Sequence, residues 1–197
     1  GPVIQVANTE IDRWQTLIEA ASARFGIPAD WIAAVMARES AGLTAWHGAP
    51  IVSSAGAMGL MQLMPGTWSD MRTRYKLGSD AFDPHDNIFA GVAYLREMFD
   101  RYGYPALFAA YHAGPDRMDA FLAGLKPLPE ATKAYLESIV PGVEMKLDSS
   151  GNLSAATANP ASDTLFFVRA GDAKPPSSGT EPPHEVHGLF VPLISSH

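Results

Sequence analysis

The sequence predicts a mainly α domain followed by a C-terminal extension that contains short strand-like segments. Apolar residues recur at helical spacing in one segment after another from residue 9 to residue 141. After Pro141 the composition changes, and Ser, Ala, Asn, Gly and Pro become as frequent as they are in linkers. The 197 residues, 47% of them hydrophobic, suffice for one ordinary domain and an appendage. We therefore divide the chain into a lead-in (1–8), a helical domain (9–141) and an extension (142–197).

The first two helices are predicted from apolar stripes and from residues that favour helix ends. Residues 9–25 keep the i, i+3, i+4, i+7 spacing, with Thr9 as the cap and Gly26 as the stop. Asp30 is a favourable N-cap for a second helix over residues 31–40. The domain is thus expected to begin with two consecutive helices.

A loop over residues 41–58, rich in Gly, Pro and Ser, precedes the later helices. Thr67, with Asp70 three residues later, predicts a capped helix, and Asn87 is expected to cap the next one. Gly103 is expected to end that helix. Three shorter helices are predicted over residues 105–112, 116–123 and 129–140.

The extension contains two short apolar runs between linker-like stretches. The runs are "TLFFVRA" (164–170) and "GLFVPLI" (188–194), and their aromatic and branched residues are typical of strands. They are expected either to pack back on the helical domain or to dock onto a partner, and we favour packing back. The stretch before the first run, "LDSSGNLSAATANPASD" (147–163), and the stretch between the two runs, "AGDAKPPSSGTEPPHEVHG" (170–188), are interpreted as linkers.

Charge and composition exclude several classes of function. The formal net charge is −7 and no run of Lys or Arg is present, so no nucleic-acid partner is predicted. No apolar run approaches the ~20 residues of a membrane span, so no transmembrane segment is expected. Zero cysteines exclude disulfides and thiol catalysis, and we predict neither a cofactor nor a metal site. Gly1-Pro2 resembles a cleaved-tag scar, so a natural export signal is expected to be missing.

An acidic residue lies on the apolar face of the helix over residues 31–40. That face carries Ile32, Val35 and Met36. Glu39 follows them at helical spacing and is predicted to share their face. A carboxyl among apolar side chains has a raised pKa, and a carboxyl that holds its proton near neutral pH can act as a general acid. The alternative is an ordinary solvated glutamate at a helix end.

Four further motifs accompany the "ARES" stretch (37–40) around Glu39. They are "SSAGAMGLMQLMPGTW" (53–68), "DPHDNIFAGVAYL" (83–95), "AAYHAGP" (109–115) and "ATKAYLESIV" (131–140). In this order and spacing, the five motifs resemble the lytic transglycosylase domain related to goose-type lysozyme. The resemblance covers about residues 10–141, the size of one typical domain.

That resemblance implies a lysozyme-like helical fold and cleavage of the β-1,4 bond between N-acetylmuramic acid and N-acetylglucosamine in peptidoglycan. It identifies Glu39 as the single catalytic acid and Ser40 as the serine that follows it. A serine of the preceding loop usually faces the substrate, and Ser53 and Ser54 remain equal candidates. The other positions that match substrate-lining residues are Gln62, Met64, Tyr111, His112 and Tyr135.

In this family the sugar itself replaces the second carboxylate of ordinary glycosidases, and the product is a 1,6-anhydro sugar. The sequence agrees in offering no convincing second acid, because Asp70, Asp83 and Asp86 are better explained as cap or turn residues. Two positions depart from the family pattern: His112 stands where Asn is usual, and Ala131 where Glu often occurs. A hydrolysing lysozyme and a non-catalytic wall-binding module are the alternative functions.

The resemblance also implies where the protein acts. Its expected partners are peptidoglycan glycan strands, and the expected location is the periplasm or another exported compartment of a bacterium. Enzymes of this family often serve machines that pass the wall. Components of a secretion or conjugation apparatus are therefore the alternative partners of the C-terminal extension.

Overall fold

The computed structural model describes residues 9–157 and 166–168, which contain eight helices and five short strands. The helices are α1 Thr9–Asp12, α2 Gln15–Phe25, α3 Ala29–Ser40, α4 Pro65–Tyr75, α5 Pro84–Tyr102, α6 Ala106–Ala113, α7 Pro115–Leu122 and α8 Glu130–Ile139. The strands are β1 Ala45–Trp46, β2 Ala49–Pro50, β3 Val143–Leu147, β4 Leu153–Thr157 and β5 Phe166–Val168. The mainly α prediction is confirmed.

The core is built around two consecutive helices, α5 and α6. The long helix α5 packs against α2, α4 and α6, while α6 also contacts α7 and α8. All eight residues of α6, with the sequence ALFAAYHA, are buried. A helix that is apolar on every side is stable only when protein surrounds it, which explains the central position of α6. The polar residues that α6 does carry are therefore held inside the domain.

The helix predicted over residues 9–25 is divided into α1 and α2 by a break at Arg13 and Trp14. Thr9 is the first helical residue and not the cap. The indole of Trp14 donates a hydrogen bond to the Gly42 carbonyl at 2.8 Å, which ties the break to the loop after α3. This long-range contact explains why local spacing missed the interruption. The predicted stop at Gly26 is confirmed, with φ at +66°.

Three further predicted N-caps were wrong. Asp30 lies within the first turn of α3, which begins at Ala29 after Pro28. Thr67 lies inside α4, which begins at Pro65 without a side-chain cap. Asn87 lies inside α5, where Asp83 is the N-cap and accepts a hydrogen bond from the Asp86 amide at 2.9 Å. Prolines are favoured in the first turn because they lack an amide hydrogen, so α4 and α5, which begin with Pro65 and Pro84, start earlier than their polar residues suggested.

The remaining helix predictions are confirmed. Gly103 ends α5, and the three shorter helices occur as α6, α7 and α8 within one residue of the predicted limits. The predicted loop after α3 contains only the two-residue strands β1 and β2, paired antiparallel. None of the helices in the described ranges combines the length and apolar character that crossing a bilayer requires.

The beginning of the predicted linker forms a β-hairpin instead. Strands β3 and β4 pair antiparallel, and β5 pairs with β4 within the run predicted as a strand over residues 164–170. Asp148 closes the hairpin turn by accepting hydrogen bonds from the amides of Ser150 and Asn152. Leu153 joins the hydrophobic core of the helices, and Met145 packs against that core. The run over residues 188–194 lies outside the described residues.

Candidate active site

The predicted acid is buried at the end of α3. Glu39 is 7% exposed, and Ile32, Val35 and Met36 on the same helix are fully buried. The helix ends at Ser40, and the next residue, Ala41, adopts a left-handed conformation. Glu39 therefore lies in the last helical turn with its side chain directed into the domain, as the spacing predicted.

The environment of Glu39 keeps its carboxyl protonated at neutral pH. Burial raises the pKa of Glu39 from 4.5 to about 8, because an apolar surrounding disfavours the charged form. The nearby Tyr135 hydroxyl and the Arg38 guanidinium both oppose this rise. The effect of Tyr135 is that of a hydrogen-bond donor, although among the described residues neither its hydroxyl nor Glu39 Oε1 makes a well-formed hydrogen bond. The site thus holds a neutral acid with an unused oxygen.

Two tyrosines from different helices are close enough to Glu39 to interact with its charge. Tyr111 of α6 and Tyr135 of α8 are each 1% exposed. Burial raises the pKa of both hydroxyls well above the ordinary value, and the charge of Glu39 adds to the rise. Tyr111 donates a hydrogen bond to the Met61 carbonyl at 2.6 Å. The structure therefore brings together Glu39, Tyr111 and Tyr135, which the sequence had proposed as one site.

The segment from Met58 to Leu63 is folded tightly beside Tyr111. Met58 and Leu63 exchange backbone hydrogen bonds of 2.9 and 3.1 Å. Gln62 is 3% exposed, has φ at +51°, and donates a side-chain hydrogen bond to the Gly59 carbonyl at 2.9 Å. Met64 is partly buried at the start of α4. Gln62 therefore directly follows Met61, the residue whose carbonyl binds Tyr111. Its side-chain amide already donates one hydrogen bond within its own loop, to Gly59.

Two residues of α5 that the sequence analysis did not assign to the site hold this segment in place. Asn87 accepts a hydrogen bond from the Met61 amide at 2.7 Å and donates to the carbonyls of Met58 and Ala81. Gly91 faces Met61 so closely that an added Cβ would lie 2.5 Å from the Met61 Cβ. Their spacing of four residues places them on one face of the helix, and that spacing was the signal available in the sequence.

The candidate serines make contacts within their own backbone segments. Ser40 is buried, and its hydroxyl accepts a hydrogen bond from the Gly42 amide at 3.2 Å. Ser53 is 7% exposed and accepts from the Ala57 amide at 3.0 Å, whereas Ser54 is exposed. The substrate contact predicted for Ser53 or Ser54 stays a prediction, with Ser54 as the more accessible residue.

His112 is buried behind Tyr135. It is 2% exposed, and its ring is stacked on that of Tyr135 with a centroid separation of 4.5 Å and an interplanar angle of 28°. Its Nδ1 lies 3.0 Å from the hydroxyl oxygen of Thr132, which is fully buried on α8. His112 therefore contacts other site residues, and its direct contact with substrate stays a prediction.

One group of side chains has the spacing of metal ligands. The ligand atoms of Asp83, His85 and Asp86 lie within 4.8 Å of one another. The Asp83 carboxylate already caps α5, and His85 Nδ1 lies 3.0 Å from the Asp86 carboxylate. These contacts account for the cluster as a helix N-terminus.

A cavity of about 270 Å³ lies at the C-terminal end of α6. Gly114, Arg117 and Lys126 are among the residues that line it, and Glu39 is not. The cavity is therefore separate from the buried cluster around the acid.

The fold and site together define the class of protein: a mainly α, lysozyme-like domain with a buried, protonated carboxyl at the end of a helix. Residues 16–124 match the family described as the transglycosylase SLT domain. The match covers more than half of the chain, and the chain belongs to this family.

Two curated relatives of similar sequence are also named as transglycosylases. A transglycosylase of Enterobacteria phage PRD1 is 34% identical over 140 residues, covering 71% of this chain and 46% of the relative. The soluble lytic murein transglycosylase of Escherichia coli K12 is 33% identical over 120 residues, covering 57% of this chain and 18% of the relative. The chain thus spans less than half of each of these relatives.

Solved structures of the family share the fold. The 70 kDa soluble lytic transglycosylase of Escherichia coli matches with a TM-score of 0.55 and 26% identity, over 64% of this chain and 22% of that chain. An inactive mutant of the lytic transglycosylase Slt from Pseudomonas aeruginosa matches with a TM-score of 0.55 and 27% identity, over 62% of this chain and 22% of that chain. The lysozyme-like fold predicted from the sequence is confirmed.

Proposed function

We propose that this chain has lytic transglycosylase activity and cleaves the β-1,4 bond between N-acetylmuramic acid and N-acetylglucosamine in peptidoglycan. One observation carries the proposal: Glu39 is buried beside two tyrosines, with a pKa of about 8. A glycosidic oxygen leaves readily only when it is protonated as the bond breaks. A carboxyl with this pKa still holds its proton at the pH at which the cell wall is remodelled.

In the first step Glu39 donates its proton to the glycosidic oxygen, and the bond from that oxygen to C1 of the muramic residue breaks. The N-acetyl oxygen of the same residue forms a bond to C1 and offsets the positive charge that develops there. The departing N-acetylglucosamine keeps the proton as its 4-hydroxyl group. This step leaves Glu39 as a carboxylate in a buried site.

In the second step the Glu39 carboxylate removes the proton from the C6 hydroxyl of the muramic residue. The C6 oxygen attacks C1, the N-acetyl oxygen is released, and a 1,6-anhydro ring closes without consuming water. The scarcity of buried acidic residues supports this route. Within residues 9–156, Glu39 is the one buried carboxylate, so no second buried acid is available to act as a nucleophile or base. The substrate's own groups then take the part of the second carboxylate of ordinary glycosidases.

The mass of the cleavage product tests the proposal. Purified peptidoglycan is digested with the protein, and the released muropeptides are weighed. We expect anhydro-muropeptides that are lighter by one water than hydrolysed ones. Reducing ends alone would instead identify a hydrolysing lysozyme on the same fold.

A non-catalytic wall-binding module is separated from an enzyme by Glu39→Gln. The exposed Glu19 of α2 provides the matched control, Glu19→Gln. We expect Glu39→Gln to lose cleavage while it still sediments with peptidoglycan, and Glu19→Gln to behave as the wild type. Equal behaviour of all three proteins would favour the binding module.

We also propose that the C-terminal extension packs on the helical domain, and that the protein acts where peptidoglycan lies, in the periplasm or another exported compartment. Leu153 in the core and Met145 against it support the packing. Truncation after Pro141 should lower the melting temperature of the domain. An unchanged melting temperature with loss of a binding partner would favour docking onto a wall-spanning machine.

A further inference from the structure

His112 is the site residue whose place in the proposed reaction is least obvious from the sequence. It belongs to the last turn of α6, and only 2% of it is exposed. The accessible surface of a side chain limits its contact with a polysaccharide, so His112 is poorly suited to bind sugar directly. Its role must be sought in what it touches inside the domain.

His112 contacts two residues of α8 that lie one helical turn apart. Its Nδ1 is 3.0 Å from the Thr132 hydroxyl oxygen, and its ring is stacked on Tyr135. The hydrogen bond fixes the plane of the imidazole, and the stack limits rotation of the Tyr135 ring. Because Thr132 and Tyr135 are three residues apart, α8 presents both to the same imidazole.

The other end of Tyr135 approaches Glu39. The Tyr135 hydroxyl lowers the pKa of Glu39 as a hydrogen-bond donor does, but among the described residues it is buried without a well-formed hydrogen bond. A hydrogen bond with poor geometry is too weak to fix the orientation of the tyrosine ring by itself. The position of the hydroxyl beside the acid therefore depends on how the ring is packed.

We propose that His112 is a positioning residue: fixed by Thr132, its ring holds the Tyr135 ring so that the Tyr135 hydroxyl stays against the carboxyl of Glu39. His112 then acts on the acid through Tyr135 and need not touch the substrate. The inference rests on the proposed function only for its effect on catalysis, because the arrangement itself can be measured in the free protein.

The titration of the Glu39 carboxyl is the measurement, followed by NMR on protein labelled with ¹³C in glutamate side chains. Three groups face this carboxyl: Tyr135 from α8, Tyr111 from α6, and Arg38, which precedes Glu39 in α3. Of these, the Tyr135 hydroxyl lowers the pKa of Glu39, so displacing it should move the titration midpoint upward.

Two variants of His112 distinguish the effect of its flat ring from the effect of its side-chain volume. His112→Leu keeps much of the volume but removes the flat ring and the bond to Thr132, and we expect the Glu39 midpoint to rise by about half a pH unit, a threefold change in proton affinity. His112→Phe keeps a ring for the stack, and its midpoint should stay nearer the wild type. Ile18→Val, a small core change in α2, controls for general loosening of the domain.

The double variant with Tyr135→Phe decides whether the effect passes through Tyr135. In that background His112→Leu should cause no further change of the midpoint. An unchanged midpoint in His112→Leu, or an equal change with and without the Tyr135 hydroxyl, would overturn the proposal.

If His112→Leu does not fold, Thr132→Val tests the same contact. We then expect a smaller rise of the Glu39 midpoint, and an unchanged midpoint would contradict the proposal. Absence of peptidoglycan cleavage by the wild type would count against the proposed function alone, since these titrations need no substrate.

Discussion

Replacing Glu39 with Gln should stabilise the protein, increasingly so as the pH rises. The folded-state pKa of Glu39, about 8, lies above its unfolded value of 4.5, so the folded protein binds this proton more tightly than the unfolded chain. The stability that protonation provides is complete below pH 4.5 and is lost progressively as the pH rises to about 8. Gln cannot ionise, so the variant is free of this loss.

The size of the effect follows from the two pKa values. Between pH 5 and pH 7 the unfolded state of the wild type releases the Glu39 proton and the folded state retains it, which lowers the free energy of unfolding by about 2.5 kcal/mol. The difference in stability between Glu39→Gln and the wild type should widen by the same amount. For a domain of this size it corresponds to a change in the melting-temperature difference of about 5–10 °C. Any constant effect of burying an amide cancels in this comparison.

Urea unfolding of both proteins at a series of pH values provides the assay. Glu19→Gln, changed at an exposed position of α2, is the matched control and should follow the wild-type curve. A difference between Glu39→Gln and the wild type that stays constant from pH 5 to pH 7 would refute the reasoning. It would mean that the carboxyl ionises in the folded protein as it does in the unfolded chain.

Further predictions follow from the contacts around the acid. The rate constant kcat/KM for peptidoglycan cleavage should fall as the pH rises through about 8, because Glu39 then loses the proton it must donate. Tyr135→Phe should move this alkaline limit upward, since it removes a hydroxyl that lowers the acid's pKa; an unchanged pH profile would contradict this. Asn87→Ala should cost about 3 kcal/mol in urea unfolding, because it leaves the buried Met61 amide without its 2.7 Å bond. Gly91→Ala should cost about 1–3 kcal/mol in the same assay, since its Cβ would meet Met61, and wild-type stability would disprove the close contact.

The ends of the helices were predictable where the cause is local. Gly26 and Gly103 end their helices as expected, because a glycine adopts backbone conformations that other residues avoid. The starts were less predictable. Asn87 has the side chain of a cap, but its amide is used to hold a distant loop, and no local rule distinguishes these two uses.

The site was predictable only in part, because some of its contacts join residues that are distant in the sequence. Helical spacing alone placed Glu39 on an apolar face, which the structure confirms. The approach of Tyr135 to that carboxyl depends on how α8 packs against α3, and spacing within one helix cannot supply it. The β3–β4 hairpin was missed because Ser, Ala and Asn dominate its sequence, while its pairing and the burial of Leu153 depend on the rest of the domain.

The most direct test of the account is the titration of the Glu39 carboxyl in the wild-type protein by ¹³C NMR, assigned by the signal that disappears in Glu39→Gln. We expect a midpoint near 8, so that the carboxyl is mostly protonated at neutral pH and able to donate its proton. A midpoint near 4.5 would show an ionised glutamate and would contradict the proposed role of this residue as the acid.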